Sequence, residues 1–235
     1  TKNNDYFVQT QAKISNILDN NNNSLGHTWG IEAGKQRGNF TYGLEYYEES
    51  DTYDPNDLGF LRANNSRVGE VYIGYRNFNP KIEKINRFFT SVSLSNEWLY
   101  APNLFGGSFW NARATTITNS FNALGIRLSG TLNESNDYFE PRGDIIGEKK
   151  FVRPVWTSTR VWFSSNYQKR IAADLGIGYV FVERNDWWEW NYDFETRFRI
   201  TNQLFLIHYW EQRFQNNSEG YAVDFGTPEF AHDGI

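Results

Sequence analysis

The amino-acid sequence of 235 residues contains no cysteine and no methionine. The absence of cysteine excludes disulfide bonds and thiolate metal sites, and it removes the usual indicator of the redox compartment. No stretch approaches the ~18 apolar residues that a membrane-spanning helix requires. If this chain lies in a membrane, it therefore crosses as β-strands.

The sequence also lacks a basic surface. The formal net charge is -5 at pH 7, the pI is near 5.3, and Lys and Arg form no cluster. Binding to a phosphate backbone requires a basic face. The composition therefore disfavours nucleic acid as a partner.

Aromatic residues, in contrast, are abundant. They make up 18% of the chain, with nine Trp and fourteen Tyr. Membrane interfaces favour Trp and Tyr because these side chains have one apolar and one polar end. The mean hydropathy of -0.66 is that of a soluble protein. In a barrel strand, however, only every second residue is apolar, so the average hides the pattern.

Residues 188–200 alternate between apolar and polar side chains without a break. A β-strand sends such residues to opposite faces, whereas a helix would mix them. The stretch is longer than the average strand of about 5–6 residues, and about 9–11 tilted residues cross a bilayer. We therefore predict a transmembrane strand. The lipid-facing or girdle candidates are Trp188, Trp190, Tyr192, Phe194 and Phe198, and the lumen-facing candidates are Glu189, Asp193, Glu195, Arg197 and Arg199.

The whole chain is predicted to be one all-β domain, residues 1–235, with the fold of an antiparallel up-and-down transmembrane β-barrel of the outer-membrane type. Short and long connections alternate between the strands, as they do at the two rims of such barrels. Eleven strands are predicted, at residues 6–18, 25–35, 38–49, 67–77, 87–99, 109–118, 121–132, 156–167, 171–182, 188–200 and 203–214.

Two long connections, residues 50–66 and 133–155, are predicted to be ordered loops on the extracellular rim. Their candidate ordering residues are Asp54, Asn56, Asp57, Glu140 and Arg142. The clustered oxygens of the first loop are compatible with a calcium site, but the spacing is not that of a helix-loop-helix site. Turn chemistry, in which proline and Asx side chains fix the backbone, is the favoured interpretation.

Three motifs carry a family resemblance: YDPNDLGFL at residues 53–61, NDYFEPR at 136–142 and HYW at 208–210. In their order and spacing they resemble a Bacteroidota family of outer-membrane β-barrels of unknown function. Its members typically carry a carbohydrate-binding family 9-like domain ahead of the barrel. The resemblance implies that glycan contact would come through that domain, which is not visible here, and that the barrel is incomplete in this chain. It implies no catalytic residues.

The charged set of residues 188–200 has two interpretations. It forms either a constriction that selects solutes by charge or a wall of mutually paired, solvated groups. A glycoside hydrolase would need two carboxyl groups about 5–9.5 Å apart across a cleft, which one strand does not show. The tryptophans at 187, 188 and 190 are typical of an aromatic girdle, with a sugar-stacking platform as the alternative.

Together these features predict an integral protein of the Gram-negative outer membrane without enzymatic activity or cofactor. It would act as a channel, as a transport or secretion component, or as the scaffold of an envelope complex. Its expected partners are outer-membrane lipid and other outer-membrane or periplasmic proteins. The alternative is a soluble β-rich domain that binds or cleaves glycans. The tryptophans and carboxylates are the reason for considering it.

Overall fold

The structure is a computed structural model that describes residues 5–18, 23–55, 64–142, 145–184, 186–217, 219–224 and 227–232. These residues form β-strands, turns and irregular segments. No helix among them is long and apolar enough to cross a membrane. The strands are β1 (Tyr6–Leu18), β2 (Asn23–Lys35), β3 (Phe40–Glu49), β4 (Ser66–Asn77), β5 (Ile85–Trp98), β6 (Phe105–Thr118), β7 (Ala123–Thr131), β8 (Ser135–Asp137), β9 (Phe151–Arg153), β10 (Trp156–Ser164), β11 (Ile171–Val182), β12 (Trp187–Arg199), β13 (Phe205–Asn216), β14 (Glu219–Asp224) and β15 (Thr227–His232).

Eleven of these strands form one sheet in the order β1-β2-β3-β4-β5-β6-β7-β10-β11-β12-β13. They are the eleven predicted strands, with bounds within four residues of the prediction. The all-β, antiparallel, up-and-down character is therefore confirmed. In the described residues the sheet is not closed, because β1 and β13 are its two edges. The predicted barrel closure stays a prediction.

Two short hairpins were not predicted. The strands β8 and β9 pair with each other inside the long connection between β7 and β10, and β14 pairs with β15 after β13. The strands β8 and β9 have three residues each and are too short to show an alternating pattern, so period-two reasoning misses that hairpin.

Contacts divide the chain into two compact units. Unit 1 comprises Thr1–Gly74, Ser93–Trp110 and Leu132–Arg153, and unit 2 comprises Tyr75–Val92, Asn111–Thr131 and Pro154–Ile235. Unit 1 thus contains β1 to β3, β8 and β9. Unit 2 contains β7 and β10 to β15, and the strands β4, β5 and β6 contribute to both.

In unit 1, the two faces of the strands differ sharply in exposure. On β2, Leu25 and Ile31 are exposed, whereas the alternate residues Gly26, Thr28 and Gly30 are buried. The neighbouring β3 repeats this, since Phe40, Tyr42 and Leu44 are exposed and Gly43 is buried. Large apolar side chains therefore point outward, and small or polar ones point to the covered face.

Unit 2 also has large apolar side chains on its exposed face and small side chains on the other. On β11, Ile171, Leu175, Ile177 and Phe181 are 40–58% exposed. The intervening positions include Ala172, Gly176, Gly178 and Val182, which are buried. We call the exposed side of each unit its apolar face and the other side its polar face.

The structure contains little conventional hydrophobic core. Among the described residues no large side chain is fully buried, and five apolar ones count as buried. Three of these five lie in or beside the long connections of unit 1. They are Tyr53, Leu99, Tyr138, Ala172 and Val182. In an ordinary soluble domain residues such as Leu and Ile fill the interior, so this distribution is inverted.

The long connection after β3 folds back against β2, and Gly26 permits this close approach. A Cβ atom on Gly26 would collide with backbone atoms of Thr52 and Tyr53. Backbone cannot yield as a flexible side chain does, so Gly26→Val should cost about 1–3 kcal/mol of unfolding free energy. It should also increase protease cleavage in the segment that follows Ser50.

Gly69→Ala is the matched control in unit 1. Its Cβ would meet the Trp98 ring at 3.9 Å, an ordinary contact. If both variants unfold at the same denaturant concentration as the wild type, the close approach at Gly26 carries no energetic weight.

Candidate functional site

The strand β12 lies between β11 and β13 and presents the two predicted residue sets on opposite faces. Tyr192 and Phe194 lie opposite Ile177 and Leu175 of β11, which belong to the exposed apolar face. Asp193 lies opposite Gly176, which is on the polar face. Which face meets lipid and which meets a lumen stays a prediction.

On the polar face, an ion pair reaches across the whole width of β11. The Arg160 guanidinium of β10 pairs with Asp193 and donates a hydrogen bond of 3.1 Å to Asn191 Oδ1. The residues of β11 between them are Gly176 and Gly178. A Cβ on Gly176 would collide with both Arg160 and Asp193. Glycine is therefore required here because the side chains of two non-adjacent strands meet over it.

The other charged candidates of β12 are also paired. Arg197 Nη2 lies 3.2 Å from Glu195 Oε1, and Arg213 Nε of β13 lies 3.4 Å from Glu189 Oε1. Arg199 donates to the backbone oxygen of Tyr167 at 3.1 Å. This geometry is that of a wall of mutually paired groups. A constriction selective for charge stays a prediction.

The aromatic candidates of β12 contact aromatic residues on the adjoining strands. Trp190 packs against Tyr179 of β11, with ring centroids 4.5 Å apart, and stacks on Tyr192 at 6.1 Å. Tyr192 in turn meets Phe214 of β13 edge-on. Trp188 lies opposite Phe181, and Phe198 lies opposite Ile171. The result is a continuous aromatic and aliphatic surface on the apolar face of unit 2.

A second polar centre, which the sequence reasoning missed, surrounds Glu48 in unit 1. The Glu48 carboxylate accepts hydrogen bonds from Trp29 Nε1 at 3.1 Å, Tyr46 Oη at 2.7 Å and Arg67 Nε at 2.8 Å. The Arg67 guanidinium also lies over the Tyr100 ring, 4.6 Å from its centroid. The Glu48 side chain is 11% exposed. We call these five residues the Glu48 cluster.

The Glu48 cluster lies where the apolar face ends. Glu48 follows Leu44 and Tyr46 on the outward side of β3 and is next to the long connection that begins at Ser50. Tryptophan, tyrosine and arginine around one carboxylate combine apolar surface with hydrogen-bonding groups. This composition is typical of the zone where a protein passes from hydrocarbon to water.

The long connection between β7 and β10 is held by Asp137. Its Oδ1 accepts the backbone N–H groups of Phe139 and Glu140, and its Oδ2 accepts two hydrogen bonds from Arg153 at 3.1 and 2.7 Å. Glu140, one of the predicted loop residues, lies 3.8 Å from the Arg153 guanidinium. Tyr138 Oη donates to the backbone oxygen of Phe105, which docks the connection on β6.

The remaining loop candidates are placed as follows. Arg142 ends a turn, with its N–H donating to Phe139 O and a φ of 50°. The N–H of Asp54 donates to Ser15 Oγ of β1 at 3.0 Å. Asn56 and Asp57 lie outside the described residues. That both long connections lie on the extracellular rim stays a prediction.

We expect the order of the β8–β9 hairpin to depend on pH through Asp137. Burial alone would raise the pKa of this carboxyl, but the backbone N–H of Glu140, the Arg153 guanidinium and the N–H of Phe139 together hold the pKa below its ordinary value of 3.8. The stabilisation is therefore fully present above 3.8 and is lost as the pH falls through the lower pKa of the folded hairpin. Cleavage of the hairpin by an acid-active protease should therefore increase only when the pH falls below 3.8.

Asp137→Asn removes the titrating group. We expect the variant to be cleaved faster than the wild type at neutral pH and to show no acid-dependent increase of its own. If cleavage of the wild-type hairpin already increases at a pH well above the ordinary pKa of Asp, the Asp137 carboxylate is not the group that stabilises the hairpin.

The described residues contain no group of three or more His, Cys, Asp and Glu that could hold a metal ion. For the predicted calcium alternative at the first long loop, the described part supplies only Asp51, Asp54 and nearby carbonyl groups. Within this part, Asn64 Nδ2 donates to the backbone oxygens of Asp51 and Tyr53 at 2.7 and 2.9 Å. These bonds close a turn.

The family described as "Domain of unknown function (DUF5916)" matches residues 1–231. No curated protein matches the chain, and no solved structure does. Because the match spans almost the entire sequence, this chain belongs to the DUF5916 family.

Proposed function

We propose that the eleven-stranded sheet forms the wall of a β-barrel in the bacterial outer membrane. The observation that carries this proposal is the inverted distribution of side chains. In both units, large apolar residues point to the exposed face and glycine, small and charged residues point to the other. In water such a surface is unfavourable, at roughly 25 cal/mol per Å² of apolar area. Lipid on the apolar face removes this cost.

The polar face supports the proposal that the other side of the sheet faces the hydrated interior of the barrel. Arg160, Asp193, Glu189 and Arg213 are paired with one another across strands and remain partly exposed. Charged groups on the inward side of a barrel strand stay hydrated, whereas on the lipid side each would be costly. The proposed role is non-enzymatic: a channel, a transport or secretion component, or the scaffold of an envelope complex.

The choice of partners is supported by the family resemblance and by the exposed apolar faces. We propose outer-membrane lipid as the direct partner and other outer-membrane or periplasmic proteins as partners at the loops. Contact with glycan is assigned to a carbohydrate-binding family 9-like domain, as in the Bacteroidota proteins that the sequence resembles. This chain itself is given no catalytic, cofactor or nucleic-acid role.

The test is whether the protein requires detergent or membrane to remain folded and monodisperse. The full-length protein should sediment with outer membranes and should be monodisperse only in detergent. In unheated samples it should migrate on a denaturing gel as a species distinct from the heated one, as folded outer-membrane barrels do. A protein that is monodisperse in buffer and absent from the membrane fraction would overturn the proposal in favour of a soluble β-rich domain.

A further inference from the structure

Three arginines on neighbouring strands line one groove on the polar face of unit 2. They are Arg113 of β6, Arg127 of β7 and Arg160 of β10. The groove has a volume of about 330 Å³, and its lining also includes Thr115, Ile126 and Trp162. This volume lies within the range of small-molecule sites, about 300–1,000 Å³. We call it the arginine groove.

The charges of the arginine groove are not balanced by its own lining. No carboxylate lines it. Asp193 pairs with Arg160 from two strands away, across Gly176. Arg113 Nε donates to the neutral Ser91 hydroxyl at 2.8 Å. The Arg127 side chain makes no hydrogen bond or ion pair with any residue in the described part of the chain.

The register makes this arrangement more unfavourable. Arg127 and Arg160 are direct cross-strand partners in the β7–β10 ladder, and they lie on the same face. Like charges directly opposite each other destabilise a strand pair. Two acidic pairs also lie directly opposite each other on this face, Asp174 with Glu195 and Asp193 with Glu211. There Glu195, Asp193 and Glu211 each contact an arginine, whereas the Arg127 side chain contacts no carboxylate among the described residues. The unusual feature is therefore the unpartnered charge of Arg127 within a like-charge pair, and places where a local rule is broken are where function is expected.

We propose that the arginine groove binds a small, multiply charged oxyanion that carries phosphoryl or carboxylate groups. A guanidinium presents a planar fork of N–H donors that matches the oxygens of either group. Arg113 and Arg127 supply the uncompensated charge, Arg160 adds a third fork held in place by Asp193, and Thr115 adds a hydroxyl donor. Bound anion would remove the repulsion between Arg127 and Arg160.

The size of the groove limits the class of ligand. A polymer such as nucleic acid needs an extended basic surface, and the formal net charge of -5 does not provide one. The ligand is therefore a compact solute. The proposal concerns the chemistry of one groove and does not rest on the membrane assignment, because binding is measured in whichever medium keeps the protein monodisperse.

The test is calorimetric titration of the full-length protein with sodium pyrophosphate and, separately, with citrate, both at fixed ionic strength. We expect saturable binding of at least one of the two. A stronger response to pyrophosphate would identify phosphoryl groups as the ligand chemistry, and a stronger response to citrate would identify carboxylates. Arg127→Gln and Arg113→Gln should each raise the dissociation constant at least about tenfold, since each removes one charge-assisted contact.

Arg87→Gln is the matched control. Arg87 is an exposed residue of unit 2 whose guanidinium bonds to the adjacent Asn86, and it lies outside the groove. It should bind both anions as the wild type does. The absence of saturable binding by the wild type would overturn the proposal, as would an equal loss in Arg87→Gln and Arg127→Gln, which would indicate general charge attraction. Unchanged binding in both groove variants would do the same.

Discussion

Phe194→Arg should largely abolish assembly of the proposed outer-membrane barrel. Phe194 lies near the middle of β12, opposite Leu175 and Trp210, and both of these residues are 48% exposed. An arginine on a lipid face near the bilayer midplane costs about 2–4 kcal/mol. The free energy of unfolding of a typical domain is only about 5–15 kcal/mol, so this cost is a large share of it. The measurement is the folded fraction in membranes, read from unheated gels.

The adjacent substitution Glu195→Arg is the control for Phe194→Arg, because it places the same side chain on the polar face. There it loses the contact with Arg197 but gains Asp174, which lies directly opposite on β11. Exposed pairs contribute about 0–1 kcal/mol, so assembly should be close to that of the wild type. Equal tolerance of both substitutions would show that neither face meets hydrocarbon.

Glu48→Ala should destabilise the folded protein by about 3–5 kcal/mol, the cost of removing one partner from a buried ion pair. The alanine would leave the Arg67 guanidinium, the Trp29 N–H and the Tyr46 hydroxyl without their acceptor. The Arg67 side chain is 27% exposed, so water compensates part of its charge and the lower end of the range is expected. Denaturant unfolding, followed by tryptophan fluorescence, measures the effect.

Two further variants separate charge from hydrogen bonding in the Glu48 cluster. Glu48→Gln keeps an acceptor oxygen but not the charge, so its loss should be intermediate. Glu83→Ala removes an exposed carboxylate in the turn after β4 and should change stability by no more than about 0.5 kcal/mol. A Glu48→Ala variant as stable as Glu83→Ala would mean that the cluster only accompanies the fold and does not stabilise it.

The sheet was predictable because its strands are long and alternate strictly. On β11 and β12 the pattern persists for twelve and thirteen residues. The bounds of these strands, to within one residue, and the residues that share each face therefore follow from side-chain type alone. The boundaries of β3 and β7 moved by two residues because Gly38, with a φ of 85°, and Phe121, with a φ of 62°, belong to tight turns. Such turns end a ladder before the alternation ends.

The sites were less predictable because they depend on register between distant strands. The Glu48 cluster joins residues of β2, β3 and β4 with Tyr100, and no spacing in the sequence links Trp29 to Arg67. The arginine groove likewise combines single arginines from three strands, each of which reads as an ordinary polar position. The one usable signal was the glycine pair at 176 and 178, which marks a place where neighbouring side chains need room.

The scarcity of buried apolar side chains affects how stability varies with temperature. The heat capacity of unfolding arises mainly from apolar surface that becomes hydrated, and a typical globular domain shows about 12–15 cal/mol/K per residue. In this protein no protein covers the described apolar faces, so unfolding in detergent does not move them from a protein interior into water. Only five apolar side chains among the described residues are buried. The heat capacity change should be well below the typical value. The free energy of unfolding would then vary almost linearly with temperature, without the pronounced maximum and cold-induced loss of stability that a large hydrophobic core produces.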